Sequence, residues 1–164
     1  MVRIIITAAF LAAICIGCAT SGPLVCSAPP NITTFIISPV DITTTVVEEV
    51  RYNHLPPILA SATEIELKEA IANTKLFNNV LTSSECTDDA VRLAPKMYSL
   101  IHHLHGFHVN IRAQLIDCRS GNILLTITRK DESDAESAKL PEQIARRMVQ
   151  DMKEYLFCKR SNKQ

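Results

Sequence analysis

The sequence predicts an α+β domain of two layers, in which two helices cover one face of a mostly antiparallel sheet. Apolar and polar residues alternate along 90–101 and 107–116, as they do in strands whose two faces differ. The segment "DCRSGN" then predicts a hairpin turn into the strand "ILLTITRK". Two stretches with helical spacing, near 57–76 and 141–155, supply the helices. The predicted order of elements is β–α–β–β–β–α.

The first part of the domain is predicted to hold extended segments followed by a helix. The run "TFIISPVD" at 34–41 predicts a strand, and its proline favours an edge position. Residues 42–52 keep a high β-propensity and predict a second extended piece. Ser61 and Glu64 have the spacing of a capping box, and Pro57 suits a first helical turn. The predicted core stripe of this helix comprises Ile58, Ala62, Ile65, Ala72 and Leu76.

The second part of the domain is predicted to hold three strands and the closing helix. Inward-facing residues of the two alternating runs are Val91, Leu93, Met97, Ile101, Phe107, Val109, Ile111, Ala113 and Leu115. Tyr98, Leu100 and Leu124 face outward and make the uncovered face semi-apolar. The acidic run "KDESDAES" predicts a solvated loop. The last helix begins near Pro141, and its stripe is Ile144, Met148, Met152 and Tyr155.

The N-terminus carries the most specific signal in the chain. Arg3 precedes an apolar run from Ile4 to Ile16, too short for a bilayer but typical of a secretory signal peptide. The following "CIGCAT" resembles a bacterial lipobox, which implies a signal peptide over 1–17 and lipid attachment at Cys18. The Pro-rich stretch 18–31 predicts a flexible tether before a single domain at 32–160. The alternative is ordinary cleavage after Ala28 and a secreted protein.

Four further cysteines predict disulfides in an oxidising compartment. Cys86 precedes the first long strand and Cys118 follows the second, so antiparallel pairing brings these two near each other. The closing helix returns Cys158 to the same end of the sheet, where Cys26 on the tether can reach it. Three pairings are possible, and Cys86–Cys118 is the favoured bridge. Free buried thiols remain the alternative.

The segment "HHLHGFH" at 102–108 holds four of the five histidines. His103 and His105 have a spacing that can chelate zinc or copper. A hairpin connection is a poorly rigid frame for a metal site, however, and no carboxylate in this loop could orient an imidazole. The favoured interpretation is therefore a polar loop without metal, and a metal-handling secreted protein is the alternative function.

Composition and motifs argue against several functional classes. Lysine and arginine number 17, as do aspartate and glutamate, so net charge gives no reason to expect a nucleic-acid partner. The sequence contains no G-x-S-x-G, P-loop, G-x-G-x-x-G or H-E-x-x-H motif. Asp117 ends a strand, where a carboxylate more often bonds to the turn backbone than reacts. We expect neither a cofactor nor catalysis, and no small-molecule substrate is indicated.

The motif order resembles a known group of envelope proteins. A lipobox, a "PVD" strand, a helix ending in "KLFNNV", "DDAVRL" and the hairpin "IRAQLIDCRSGNILL" are similar to auxiliary lipoproteins of ABC-type transport systems and to TolB-N-terminal-like domains. The resemblance spans 32–157 and implies a non-enzymatic accessory or assembly subunit. Such a subunit would be lipid-anchored at the outer membrane and face the periplasm. It would bind a partner protein by a sheet edge or by the uncovered sheet face.

Overall fold

A computed structural model describes residues 24–28, 31–47, 54–103, 106–134 and 137–160. The strands are β1 (Leu24–Cys26), β2 (Thr34–Ile37), β3 (Val46–Val47), β4 (Asn79–Thr82), β5 (Ala90–His103), β6 (Gly106–Asp117), β7 (Ile123–Asp134) and β8 (Cys158–Arg160). The α-helices are α1 (Leu55–Ala72) and α2 (Leu140–Met152). A 3-10 turn at Ser137–Lys139 precedes α2, and a π-helical turn at Lys153–Phe157 follows it. The predicted signal peptide and Cys18 lie outside the described residues, as does most of the tether.

The main sheet has six strands in the order β4-β2-β5-β6-β7, with β3 beside β5. The long strands β5, β6 and β7 are antiparallel to one another, whereas β2 runs parallel to both β4 and β5 and β3 runs parallel to β5. Strands β1 and β8 form a separate two-stranded sheet. Cys26–Cys158 is one compact unit, and Leu24, Val25, Lys159 and Arg160 belong to a second one.

Both helices pack on one face of the main sheet, which confirms the predicted two-layer α+β class. The alternating residues Val109, Ile111, Ala113 and Leu115 of β6 are all buried in this core. They meet helix residues such as Leu67 and Met148 in one continuous cluster. The period-2 pattern of β6 therefore places every second side chain against the helices, as predicted.

Helix α1 begins earlier than predicted and buries a different stripe. It starts at Leu55 with prolines in its first turn, so Ser61 and Glu64 lie inside it and form no capping box. Glu64 instead accepts a hydrogen bond from the Val40 amide at 2.7 Å. Ile58 and Ile65, assigned to the core stripe, are 58% and 57% exposed. The buried face carries Pro56, Leu59, Ala60, Thr63, Leu67 and Ile71.

A β-bulge corrects the predicted orientation of Leu100. Met97 pairs with Ile111 and Ser99 pairs with Asn110, so Tyr98 is an extra residue in β5. The extra residue reverses the alternation beyond it. Leu100 therefore turns into the core and is 2% exposed, although the sequence places it on the outer face.

Other elements depart from the predicted boundaries. The acidic segment predicted as a loop continues β7 as far as Asp134. The predicted second extended piece is reduced to Val46–Val47, and its residues 48–52 lie outside the described part. Strand β4, parallel to β2, was not predicted. Ile144, Met148 and Met152 of α2 are buried as expected, but Tyr155 is 72% exposed because the π-helical turn directs Phe157 into the core instead.

Among the residues described, neither helix is long and apolar enough to span a membrane.

Candidate functional site

The helix-free face of the main sheet carries a depression of about 400 Å³, here called the outer groove. Its floor and walls come from alternate residues of the two central strands, because these point away from the helices. They are Arg92, Ala94, Lys96 and Tyr98 of β5 with Arg112 and Gln114 of β6. Loop residues Ser38, Pro39, Asp41 and Ser84 complete the rim. The volume falls within the range of ligand and peptide sites in proteins.

One acidic residue lines the outer groove, and it is already engaged. Asp41 accepts hydrogen bonds from the Thr43 hydroxyl at 2.6 Å and the Thr43 amide at 2.9 Å. Its carboxylate also forms a 3.0 Å salt bridge with Lys96. These donors, with the Thr43 hydroxyl contributing most, lower the pKa of Asp41 to about 2. Asp41 is therefore ionised at any physiological pH and balances one cation of the groove.

Arg112 lies directly opposite Lys96 on the neighbouring antiparallel strand. Like charges in directly opposite positions destabilise a sheet. The charge of Lys96 is stabilised by the salt bridge to Asp41 and by the Tyr98 ring, whose centroid is 5.7 Å from the ammonium nitrogen. Arg112 is exposed and, within the described part of the chain, forms no salt bridge. The groove thus holds a guanidinium whose charge no described acid neutralises.

Arg92 closes the end of the groove nearest the Cys86 loop. Its Nη1 donates to the Ser84 carbonyl oxygen at 2.9 Å, and its buried Nε atom has no hydrogen-bond partner among the described residues. The guanidinium is therefore held in place by a neutral carbonyl and not by a described carboxylate.

On the helix-covered face, a comparable cation is paired with an acidic residue. Arg129 of β7 also has a buried Nε without a partner. Its Nη2 atom, however, forms a salt bridge with Asp151 of α2 and donates to the Arg147 carbonyl oxygen at 3.1 Å. The charge of Arg129 is matched by an element of the same domain. Arg92 and Arg112 on the opposite face have no such acidic neighbour among the groove residues.

The cationic surface continues beyond Tyr98. A second depression of about 360 Å³ is lined by Tyr98, Asn110, Thr128 and Lys130, together with Ile111 and Arg129. Tyr98 borders both depressions and is 41% exposed. The helix-free face is thus an elongated strip with cations along its length and an aromatic ring between its two depressions.

The structure shows two cysteines of the predicted set bonded to each other. Cys86 and Cys118 form a disulfide with Cα atoms 5.3 Å apart, and this is the pairing favoured from the strand order. Cys158 is also disulfide-bonded. The side chain of Cys26 lies outside the described set, although its backbone belongs to β1, which pairs with the strand that Cys158 begins.

The predicted metal candidates fall where the side chains are not described. The backbone of His103 ends β5 opposite Gly106, so the two strands extend further into this segment than predicted, whereas His105 lies outside the described residues. Elsewhere in the described chain, no cluster of three metal-ligating side chains occurs. Asp117 accepts hydrogen bonds from the Arg119 amide at 3.0 Å and the Ser120 hydroxyl at 2.8 Å. These bonds lower its pKa and give it the turn-forming role that the sequence favours.

Comparison with known proteins reveals similarity of fold and no close relative. No family model matches the chain, and no curated protein matches it in sequence. The PelC dodecamer from Paraburkholderia phytofirmans is 14% identical, with a TM-score of 0.52 over 82% of this chain and 94% of its own. A Xanthomonas campestris protein of the DUF330 family is 11% identical, with a TM-score of 0.49 over 80% and 91%.

A third structure is the lipoprotein GNA1162 from Neisseria meningitidis. It is 13% identical, with a TM-score of 0.31 over 73% of this chain and 97% of its own. The likeness to PelC shows a shared fold. The resemblance to ABC-transport auxiliary lipoproteins and TolB-like domains stays a prediction.

Proposed function

We propose that this chain is a lipid-anchored accessory subunit of the bacterial cell envelope that binds a partner protein and catalyses no reaction. The signal peptide over 1–17 would be removed, Cys18 would carry the lipid, and 18–31 would tether the domain at 32–160. The anchor would lie in the outer membrane, with the domain facing the periplasm.

The open face of the sheet is the observation that carries partner binding. Both helices pack on the other face, so the outer groove and the strip beyond it remain exposed. Tyr98 and Leu124 on this side are 41% and 39% exposed. Aromatic and arginine side chains are enriched at protein interfaces, and the strip offers both. The PelC structure, with the same fold, is a dodecamer, which supports an assembly role for this architecture.

The anchor is tested by intact mass after extraction from membranes. We expect a chain that begins at Cys18 and carries added acyl mass. Cys18→Ser should remove the lipid and release the protein from the membrane fraction, whereas Ser21→Ala, a change in the tether outside the lipobox, should leave both unchanged. A soluble chain beginning after Ala28 would contradict the anchor.

Partner binding is tested by photo-cross-linking from opposite sides of the domain. A photo-reactive residue at Thr126, exposed on β7 beside Gln114, should capture a partner protein in intact cells. The same residue at Glu142, exposed on α2, serves as the control. Equal capture from both positions, or none from either, would contradict binding by the helix-free face. The mass of the adduct distinguishes a second copy of this chain from a different protein.

A further inference from the structure

We infer that the outer groove recognises an extended acidic segment of the partner protein, with Arg92 and Arg112 as the residues that bind its carboxylates. This inference rests on the proposed function, because it names the chemistry of the partner that the helix-free face would bind. Arg92, Lys96 and Arg112 meet a single carboxylate, Asp41, in the groove lining.

The groove keeps an electrostatic cost that no described residue of the chain offsets. Lys96 and Arg112 are directly opposite each other, and the one groove carboxylate bonds to Lys96. An anion placed beside Arg112 would relieve the repulsion and use donors that now face solvent. Guanidinium groups bind carboxylates by paired hydrogen bonds, so arginine suits this task better than lysine.

The spacing of the cations favours an extended chain. Arg92 is four residues from Lys96, the residue directly opposite Arg112, so Arg92 and Arg112 are separated by about 13 Å along the strand direction. Acidic residues four positions apart on an extended peptide have the same separation. Ala94 lies midway, and its small side chain leaves room for a peptide on the floor of the groove. Gln114, opposite Ala94, offers amide groups for hydrogen bonds to a peptide backbone.

The elongated shape of the strip also favours a polypeptide over a small anion. The groove is continued past Tyr98 by the second depression, which adds the cation Lys130. A compact metabolite would occupy one depression, whereas an acidic segment can lie along both. An acidic polysaccharide is also linear and anionic, and the experiment below separates it from a peptide.

The test measures binding of a capped peptide with alternating glutamate and threonine to the purified full-length protein in detergent, by fluorescence anisotropy. We expect Arg112→Gln to weaken binding about tenfold, as expected for loss of a charged hydrogen bond. Arg146→Gln, the same change on an exposed position of α2, should leave the affinity unchanged. Added salt should weaken binding of the wild-type protein, because it screens exposed charges.

Three outcomes would overturn the inference. A peptide with glutamine in place of glutamate could bind equally well, or Arg112→Gln could bind as tightly as Arg146→Gln. Polygalacturonate oligomers could displace the peptide and bind more tightly, with the same dependence on Arg112, which would assign the groove to an acidic polysaccharide. Since Arg112 is exposed and forms no ion pair with a described residue, a folding defect is not expected, and a thermal melt of each variant verifies this.

Failure of this inference can be distinguished from failure of the proposed function. Capture of a partner protein from Thr126 without any peptide affinity would leave the interface intact and reject its acidic chemistry. Absence of capture from Thr126 would reject the interface itself.

Discussion

The two faces of the main sheet are built from the same strands, and adjacent residues of β6 show how differently they are used. Ile111 is buried against the helices, and Arg112 next to it is exposed in the outer groove. On the covered face the cation of Arg129 is matched by Asp151 of α2. On the open face Arg112 lies opposite Lys96. The single carboxylate of the groove, Asp41, forms a salt bridge with Lys96 and none with Arg112.

This difference separates residues that stabilise the fold from residues available for binding. The covered face lowers the free energy of the folded domain by removing apolar surface from water. The open face includes a like-charge pair, Lys96 opposite Arg112, which opposes stability. Groups that reduce stability inside a depression are those for which an external ligand gives the clearest explanation.

The largest expected effect on stability comes from alanine substitutions at two adjacent residues whose side chains point to opposite faces of the sheet. Ile111→Ala should lower the free energy of unfolding by about 2–5 kcal/mol, because it leaves a cavity in a closely packed core. Arg112→Ala, one residue later, should change it by no more than about 0.5 kcal/mol. Urea unfolding of both variants measures this. Similar losses in the two variants would contradict the division of roles between the faces.

The Cys86–Cys118 disulfide gives the next largest expected effect on stability, and it lies close to a residue that positions the groove. Replacing Cys86 and Cys118 together by serine should cost about 2–4 kcal/mol, since the bridge closes a loop of 32 residues in the unfolded chain. Ser84, two residues before this bridge, holds Arg92 in the groove. We expect unfolding at lower urea than in the wild type. An unchanged midpoint in the absence of reductant would show that the bridge does not stabilise the domain.

A smaller effect should appear in acid and should come from the open face. The pKa of Asp41 lies at about 2 in the folded protein, below its ordinary value of 3.8. A carboxylate whose pKa is lowered in the folded protein stabilises the fold at pH values above its ordinary pKa. This contribution disappears as the pH falls from about 4 to about 2. Asp41→Asn should therefore show a shallower decline of melting temperature over this range. The decline should persist in part, because the pKa values of Asp89 and Asp117 are lowered as well.

The smallest expected effect tests the corrected stripe of α1. Ile65→Ala should change the free energy of unfolding by no more than about 0.5 kcal/mol, because its side chain is 57% exposed. Leu67→Ala, two residues later and fully buried, should cost about 2–5 kcal/mol. Urea unfolding of this pair compares them under identical conditions. A reversed order would restore the stripe predicted from the sequence.

The long strands and α2 could be predicted because their patterns are extended and consistent. Residues Phe107 to Leu115 of β6 keep one period, and the stripe Ile144, Met148, Met152 repeats at a single helical spacing. Helix α1 misled the prediction because apolar residues lie on more than one of its faces. Ile58 and Leu59 are adjacent and both apolar, so spacing alone does not select the buried one.

The candidate site could be predicted only in its parts. The outward direction of Arg92, Lys96 and Arg112 follows from strand alternation. Their arrangement depends on strand register, which pairs Lys96 with Arg112, and on the loop that brings Asp41 to the groove. The bulge at Tyr98 leaves no mark in the sequence, because one extra residue in a strand looks like any other.

A single backbone hydrogen bond joins the two ends of the larger compact unit, Cys26–Cys158. The Ser27 amide donates to the Phe157 carbonyl oxygen at 2.8 Å, so the chain enters and leaves this unit side by side. The first and last residues of this unit thus form one shared boundary, although about 130 residues of chain separate them.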